Sequence, residues 1–411
     1  MAAPILENWE MAAALKDLND WLIQQGLENT PVESWLEECC SRLVAAGVPL
    51  QRVNMTTRAH HPEVGSVAFR WHREGGNERE DFQRASVAPD IYLRSPLYYL
   101  LTQPTKEIRQ RLTDPDPEFV FDVFDDFRAQ GATDYFASKQ MFMQHGDIDS
   151  KAALQRHEGM IISMTTDAND GFSDAQLDGL RGLLPALCLT LKSSANRLMA
   201  QDITAAYMGR DASRRVLSGD ITRGSSETIS AVIWYFDLQG FTKMSETLPG
   251  GSIIDLLNDY FAEAVDVVER NGGNVLKFMG DGMLAIFDLK QIPEARRIAI
   301  DAALELRAGF VALNKSRTQQ GLATTGFTLA LHAGDVLYGN IGGKTRLDFT
   351  VIGPAVNTTA RILGMSGPLD QTIIISSAVA GPLRNDRPDL VSLGQYRLRG
   401  VTDRQELFTL D

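Results

Sequence analysis

The strongest constraint on the fold of this 411-residue chain is a regular exchange of strand-like and helix-like hydrophobic spacing after residue 225. Ser230–Phe236 is an apolar strand, and the apolar residues of Ser252–Arg270 recur at the spacing of one helix face. A hairpin around Gly280, a helix over Glu294–Asn314 and a strand over Phe327–His332 complete the order βαββαβ. Further strands are predicted at 348–352, 372–375 and 405–409. The pattern predicts an α+β domain that begins at residue 225.

Charge and hydropathy exclude several classes of protein. The chain has 40 basic and 53 acidic residues, hence a net charge of −13, whereas binding to nucleic-acid polymers needs clustered cations. No apolar run approaches the roughly 20 residues of a membrane span, and no secretory signal is evident at the N-terminus. The three cysteines, Cys39, Cys40 and Cys188, lack metal-ligand spacing. We expect a reduced, cytoplasmic protein.

The first 172 residues predict a mixed domain. We expect helices over 10–25, from Pro31 to Gly47 with Thr30 as its N-cap, over 95–101 and over 119–130. Strands are expected over 53–58, 66–71, 134–143 and 159–166. The order of these elements resembles that of GAF or PAS sensory modules, which implies a regulatory domain for an unknown small-molecule or protein signal. The histidines that could bind haem or a metal are His60, His61, His72, His145 and His157.

A long helical segment follows. Ser173 and Gln176 form a capping box, Phe172 is placed to contact Leu177, and the apolar pattern continues to Tyr207. We predict one connecting helix, paired with its twin in a dimer; the alternative is two helices broken at Gly182 or Pro185. Gly219–Ser226 is rich in glycine, serine and threonine. The predicted division is therefore 1–172, 173–224 and 225–411.

Two carboxylates occupy positions where strands end. Asp237 follows the apolar strand, and Asp281 lies at the tip of the hairpin in Met279-Gly280-Asp281-Gly282. If these strands are neighbours, the two charges meet and repel unless a cation lies between them. Magnesium prefers such oxygen ligands and is commonly shared with phosphates. Taken singly, an aspartate at either position is more often an ordinary turn or cap residue than a functional one.

Four motifs together carry a resemblance to a known family. They are Phe236-Asp237-Leu238-Gln239-Gly240-Phe241-Thr242, Lys277-Phe278-Met279-Gly280-Asp281, Asp348-Phe349-Thr350-Val351-Ile352-Gly353 and Val356-Asn357-Thr358-Thr359-Ala360-Arg361. In order and spacing they resemble the class III nucleotidyl cyclases, and most closely a bacterial adenylate cyclase subgroup with threonine at position 350. The resemblance covers about residues 225–411 and implies a ferredoxin-like catalytic domain.

The resemblance also implies roles for individual residues. Asp237 and Asp281, with the Leu238 carbonyl, would bind two Mg²⁺ or Mn²⁺ ions. Lys277 and Thr350 would recognise adenine, and Phe241 would lie under the triphosphate. Asn357 and Arg361 would orient the ribose and stabilise the pentavalent phosphorus. In the family these groups come from two protomers, which implies a homodimer with two equivalent sites.

The residue types agree with adenine chemistry. The Lys277 ammonium can donate to ring atom N1, an acceptor in adenine that carries hydrogen in guanine, and the Thr350 hydroxyl can accept from the amino group. Arg361 offers a planar cation to a phosphate oxygen.

Some positions depart from the family pattern. Thr328 replaces a frequent arginine, so one phosphate contact is missing or supplied elsewhere. Arg399 is the nearest candidate for a basic residue at the terminal phosphates, and Lys344 and Arg346 are others.

The sequence therefore predicts a homodimeric adenylate cyclase that converts ATP to 3′,5′-cyclic AMP and pyrophosphate. The alternatives are a catalytically silent nucleotide-binding scaffold and a guanylate cyclase. Lys277 opposes the latter, and the diguanylate cyclase hairpin motif is absent.

Overall fold

The computed structural model describes residues 3–59, 64–84, 89–142 and 159–411. The chain divides into two compact units, Met1–Ile203 and Thr204–Asp411. Within the described ranges, no helix combines the length and the apolarity that crossing a membrane requires. The division 1–172, 173–224 and 225–411 stays a prediction.

The first unit is built on one antiparallel sheet. Its strands are β1 (Leu50–Arg58), β2 (Val64–His72), β3 (Gly76–Gln83), β4 (Glu107–Arg111), β5 (Asp134–Met141) and β6 (Gly159–Thr166), in the order β3-β2-β1-β6-β5-β4. Its helices are α1 (Ala3–Glu28), α2 (Val32–Ala45), α3 (Asp90–Leu93), α4 (Pro96–Thr102), α5 (Val123–Ala129) and α6 (Asp174–Met208), which continues past residue 203.

Helices cover both faces of this sheet. One face packs against α1, α2 and the first turns of α6, around Trp35, Met55 and Leu180. The other face packs against α4 and α5, around Leu100 and Phe124. Side chains alternate between the two faces along each strand, so the sheet has a core on either side.

Helix α6 confirms the prediction of a single long helix. It runs unbroken through Gly182 and Pro185. At its start the Ser173 N–H donates to Gln176 Oε1 at 2.9 Å, and the Gln176 N–H donates to Ser173 Oγ at 3.3 Å, which is a complete capping box. Phe172 and Leu177 are buried in the same core.

The capping box expected at α2 is wrong. Helix α2 begins at Val32, Pro31 is its N-cap residue, and no side chain caps it. The Thr30 hydroxyl donates to Gln25 Oε1 instead, at 3.0 Å. The helix ends at Ala45, and Gly47 follows with φ of +87°, as expected for a glycine beyond a helix end.

Only one of the five candidate histidines lies within the described residues. His60, His61, His145 and His157 lie outside the described residues. His72 ends β2, and burial lowers its pKa. Within the described ranges, no group of three or more His, Cys, Asp or Glu residues is arranged to hold a metal.

The second unit begins with the end of α6 and α7 (Arg210–Leu217). Its other helices are α8 (Phe241–Thr247), α9 (Gly250–Arg270), α10 (Ala295–Gln319), α11 (Pro354–Leu363), α12 (Ser366–Leu369) and α13 (Ser377–Ala380), followed by a 3₁₀ turn, Gly381–Leu383. Its strands are β7 (Ser226–Leu238), β8 (Asn274–Met279), β9 (Gly282–Asp288), β10 (Phe327–Gly342), β11 (Leu347–Ile352), β12 (Ile373–Ser376), β13 (Leu390–Tyr396) and β14 (Gln405–Leu410).

The elements from β7 to β10 follow the predicted order βαββαβ. The strands lie in the order β13-β14-β12-β10-β7-β9-β8, with β11 added to β10. Neighbouring strands are antiparallel except β10 and β12. The central four, β10-β7-β9-β8, place β7, which contains Asp237, beside β9, which begins directly after Asp281.

The two faces of this sheet have different coverings. One face packs against α9 and α10, around Trp234, Phe236 and Phe287. The opposite face contacts α7 through Ala212 and also includes Phe349 of β11. Asp237 alternates with Phe236 along β7 and so belongs to this second face.

Helix α7 is fixed to the second face by one arginine. Arg215 pairs with Asp211 at 2.9 Å and with Glu227 of β7 at 2.5 Å. Its guanidinium lies 5.0 Å from the ring centre of Tyr338 and 5.9 Å from that of Phe349. The helix therefore contacts β10 and β11, the hairpin that carries Thr350.

Candidate active site

The carboxylate pair forms where β7 and β9 meet. Asp237 lies opposite Gly282 in the β7–β9 register, and the Leu238 N–H donates to the Asp281 carbonyl at 3.1 Å. Gly282 matters here, because a Cβ at that position would lie 3.0 Å from Asp237 Oδ1. Both aspartates are half-buried. The sequence prediction that these two residues are neighbours agrees with this geometry.

The pair is electrostatically unfavourable as it stands. Burial, and secondly the charge of Asp281, raise the pKa of Asp237 to about 6. Among described residues, neither carboxylate has an ion-pair partner, and no cation acts on the pKa of Asp237. Two desolvated carboxylates without a counter-charge favour a divalent cation. The donor set, two carboxylates and the Leu238 carbonyl, fits magnesium or manganese.

A polar network holds the turn that follows Asp237. The Thr325 hydroxyl donates to the Gln239 carbonyl at 2.7 Å, and the Gln239 N–H donates to the Gly326 carbonyl at 2.9 Å. The Thr325 N–H donates to the Tyr260 hydroxyl at 3.1 Å, and that hydroxyl bonds to Asn314 Oδ1. Sequence reasoning missed these residues, because their partners are main-chain atoms distant in the sequence.

Lys277 lies on β8 and Thr350 lies on β11. Lys277 Nζ is 3.4 Å from Asp348 Oδ2, so the ion pair joins β8 to β11. Thr350 is 5 % exposed, and its buried Oγ1 has no hydrogen-bond partner among the residues that the structure describes. A buried hydroxyl of this kind costs free energy unless a ligand satisfies it. Asp348, which the sequence analysis gave no role, is the residue that contacts Lys277.

Asn357 and Arg361 project from one face of α11. They are four residues apart, both are exposed, and neither has a polar partner among the described side chains. The opposite face of the helix is buried through Ala355, Thr359 and Ile362. Within the described chain, no hydrogen bond or ion pair joins these two residues, Lys277 or Thr350 to the carboxylate pair.

The remaining predicted residues surround the site less closely. Thr328 lies directly opposite Asp237 in β10, where the resemblance led us to expect an arginine. Phe241 is half-buried at the start of α8, after Gly240 with φ of +66°. The basic candidates Lys344, Arg346 and Arg399 are exposed and have no ion pair in the described ranges.

Comparison with known proteins identifies the second unit. Residues 224–411 match the family model of the adenylate and guanylate cyclase catalytic domain. An adenylate cyclase of Anabaena cylindrica is 32 % identical over 164 residues, which are 39 % of this chain and 32 % of that protein. Adenylate cyclase 1 of Rhizobium meliloti is 24 % identical over 223 residues, 53 % of this chain and 33 % of that protein. The matches thus span about a third of these relatives.

Solved structures give matches of similar extent. The adenylyl cyclase CyaB from P. aeruginosa is 24 % identical with a TM-score of 0.42, covering 46 % of this chain and 96 % of that one. The guanylyl cyclase Cya2 is 28 % identical with a TM-score of 0.40, covering 45 % and 93 %. Residues 224–411, a little under half of this chain, therefore form a catalytic domain of the class III nucleotidyl cyclase family.

Proposed function

We propose that the protein is an adenylate cyclase that converts ATP to 3′,5′-cyclic AMP and pyrophosphate. The observation that carries the proposal is the pairing of Asp237 and Asp281 at adjoining strand ends without a counter-charge. In the reaction the ribose 3′-hydroxyl attacks the α-phosphorus in line and pyrophosphate leaves. Positioning and charge neutralisation provide most of the catalysis in such transfers.

Asp237, Asp281 and the Leu238 carbonyl would hold two Mg²⁺ or Mn²⁺ ions. When bound, these ions neutralise the triphosphate and favour ionisation of the 3′-hydroxyl. The clamp from Thr325 to Gln239 would keep the following turn, including Phe241, in place beneath the phosphates. Thr328 is a short neutral residue beside Asp237, so Arg399, Lys344 or Arg346 would supply the cation at the terminal phosphates.

Lys277 and Thr350 would select adenine. The ammonium would donate to N1, and the buried hydroxyl would gain its missing partner by accepting from the amino group. Asp348 would orient Lys277 before the base arrives. Guanylate cyclase activity is the alternative, because the Asp348 carboxylate could accept hydrogen bonds from the N–H groups of guanine.

Asn357 and Arg361 would act on the ribose and the α-phosphate. Their exposure on α11, and the absence of any cation acting on Asp237 within the described chain, support a site completed by a second copy. One protomer would contribute the carboxylates, and its partner would contribute the base, ribose and phosphate contacts. A symmetric dimer then has two equivalent sites.

The first unit would regulate this activity as a GAF- or PAS-like sensor. Helix α6 leads from it towards α7, which contacts the β10–β11 hairpin through Arg215. A shift of α7 would therefore alter the strand that carries Thr350. The free cysteines, two of them buried, support a cytoplasmic location.

The test is turnover of ATP and of GTP, each with Mg²⁺ and with Mn²⁺, and chromatography of the products. We expect cyclic AMP from ATP, and loss of it in Asp237→Ala and in Asp281→Ala. Asp255→Ala is the matched control, because Asp255 is exposed on α9 without a partner in the described chain. Cyclic GMP as the main product would establish the guanylate cyclase instead. ATP binding without any product would favour the silent scaffold.

A further inference from the structure

The first unit contains a cavity that is separate from the candidate active site. Its volume is about 330 Å³, and it lies between strands β1 to β3 and residues 194–202 of helix α6. All of its lining residues belong to the first unit and to the described ranges. We call it the α6 cavity. Its volume falls at the lower end of the roughly 300–1,000 Å³ of small-molecule sites.

Most of the α6 cavity is apolar. Val67 and Phe69, which are 7 % and 5 % exposed, contribute from β2, and Leu198 and Met199 contribute from α6. Such a wall gains free energy when an apolar ligand displaces water from it.

The polar part of the lining is electrically balanced. It holds two arginines, Arg58 and Arg79, and two aspartates, Asp81 and Asp202. Arg79 donates two hydrogen bonds to Asp81, from Nε to Oδ1 at 2.9 Å and from Nη2 to Oδ2 at 3.2 Å. An ionic ligand would lose its hydration without meeting an unpaired opposite charge. The lining therefore favours an uncharged molecule.

We propose that the α6 cavity is a binding site for a small uncharged molecule with an apolar body and one or two hydrogen-bonding groups. The hydrogen-bonding groups would face the Arg79–Asp81 pair and Asn196. An occupant touches α6 over the stretch that leads directly to Met208, the last residue of the helix. Ordering this stretch would change the rate of turnover; that consequence, unlike binding itself, rests on the proposed function.

The experiment uses the full chain and indole as the probe, with saturation-transfer NMR and calorimetry as readouts. We expect indole to bind the wild-type protein and to bind Ala195→Trp at least about tenfold more weakly, a loss of about 1.4 kcal/mol. Ala195 lines the cavity, so the new ring occupies it. Arg197→Trp is the matched control, because Arg197 lies on the same helix, is exposed and does not line the cavity.

Asn196→Trp repeats the test at a second lining position if Ala195→Trp does not fold, which circular dichroism reports. No binding of indole to the wild type, or equal binding to the filled variants, would overturn the proposal. Binding is measured without nucleotide, so the result for the cavity does not depend on whether the protein has cyclase activity. A change in cyclic AMP formation with indole in the wild type and not in Ala195→Trp would add the regulatory consequence.

Discussion

At the scale of single residues, Asp237 is the group whose chemistry depends most on its surroundings. Burial first, and then the Asp281 charge, raise its pKa to about 6 from an ordinary value of 3.8. In the metal-free protein we expect this carboxyl to titrate near pH 6, as followed by carbon NMR of the aspartate side chains. Asp281→Asn should lower that pKa, and burial should keep it above 3.8. A value near 3.8 in the unaltered protein would contradict the geometry.

The same shift has a consequence for stability. Between about pH 4 and 6 the folded metal-free protein binds more protons at Asp237 than the unfolded chain does. Its free energy of unfolding should therefore gain a contribution from this residue as the pH falls from about 6 to about 4. In Asp237→Asn that contribution should be absent. Urea titrations of the two metal-free proteins across this range measure the difference.

Substitution of Thr325 tests how the turn that follows Asp237 is held in place. Thr325→Val removes the hydroxyl that donates to the Gln239 carbonyl, at a cost of about 0.5–1.5 kcal/mol. We expect the turn to move and kcat to fall about tenfold or more, since small displacements of substrate-positioning groups are costly. Steady-state kinetics with ATP measure the loss.

Thr318→Val provides the matched control for Thr325. The Thr318 hydroxyl also donates to a carbonyl, that of Asn314 at 2.7 Å, and it is exposed on α10. Its replacement should leave kcat within about twofold, because water can replace the lost donor. Equal kinetic losses in the two variants would remove the positioning role from Thr325.

At the scale of elements, the start of α6 makes a direct prediction about stability. Ser173 and Gln176 cap each other's N–H groups, so Ser173→Ala should cost about 1 kcal/mol. Ser252→Ala, an exposed serine in the first turn of α9, should change the free energy of unfolding by less than about 0.5 kcal/mol. Urea denaturation followed by circular dichroism compares them. Equal effects would mean that the cap contributes nothing.

The sequence predicted elements well where one face of an element is buried. Strand β6 has the predicted bounds, 159–166, and the carboxylate pair follows from strand ends that can be identified locally. Strand β3 was missed, because an edge strand with mostly exposed side chains has no alternating apolar pattern. Strand β10 extends ten residues beyond the prediction because pairing with β7 and β11 continues through Gly334 and Gly339.

Contacts within the site were less predictable than the elements that carry them. The Lys277–Asp348 pair depends on where β11 lies relative to β8, and the Thr325 network depends on main-chain atoms of another segment. Neither is encoded by spacing along the chain. The sequence predicted the chemistry of the candidate site, and the fold determines which neighbours contact its residues.

At the scale of the whole molecule, the decisive question is whether one chain completes its own site. Arg361 is exposed, lacks a partner in the described ranges, and does not act on the pKa of Asp237. In the proposed dimer, a second copy would bring its arginine to these carboxylates. Asp237→Ala chains and Arg361→Ala chains should then be inactive separately, since every site in either homodimer lacks one group.

Mixing the two variants should restore activity. In a mixed dimer one site lacks both groups, and the other has the carboxylates of one chain and the arginine of its partner. Random association makes about half of the dimers mixed, each with one intact site, so about a quarter of wild-type activity is expected. The control mixes Asp237→Ala with Asp281→Ala chains, whose lesions fall in the same half-site, and should restore nothing. No recovery in either mixture would mean that each chain uses its own Arg361, and equal recovery in both would contradict the shared site.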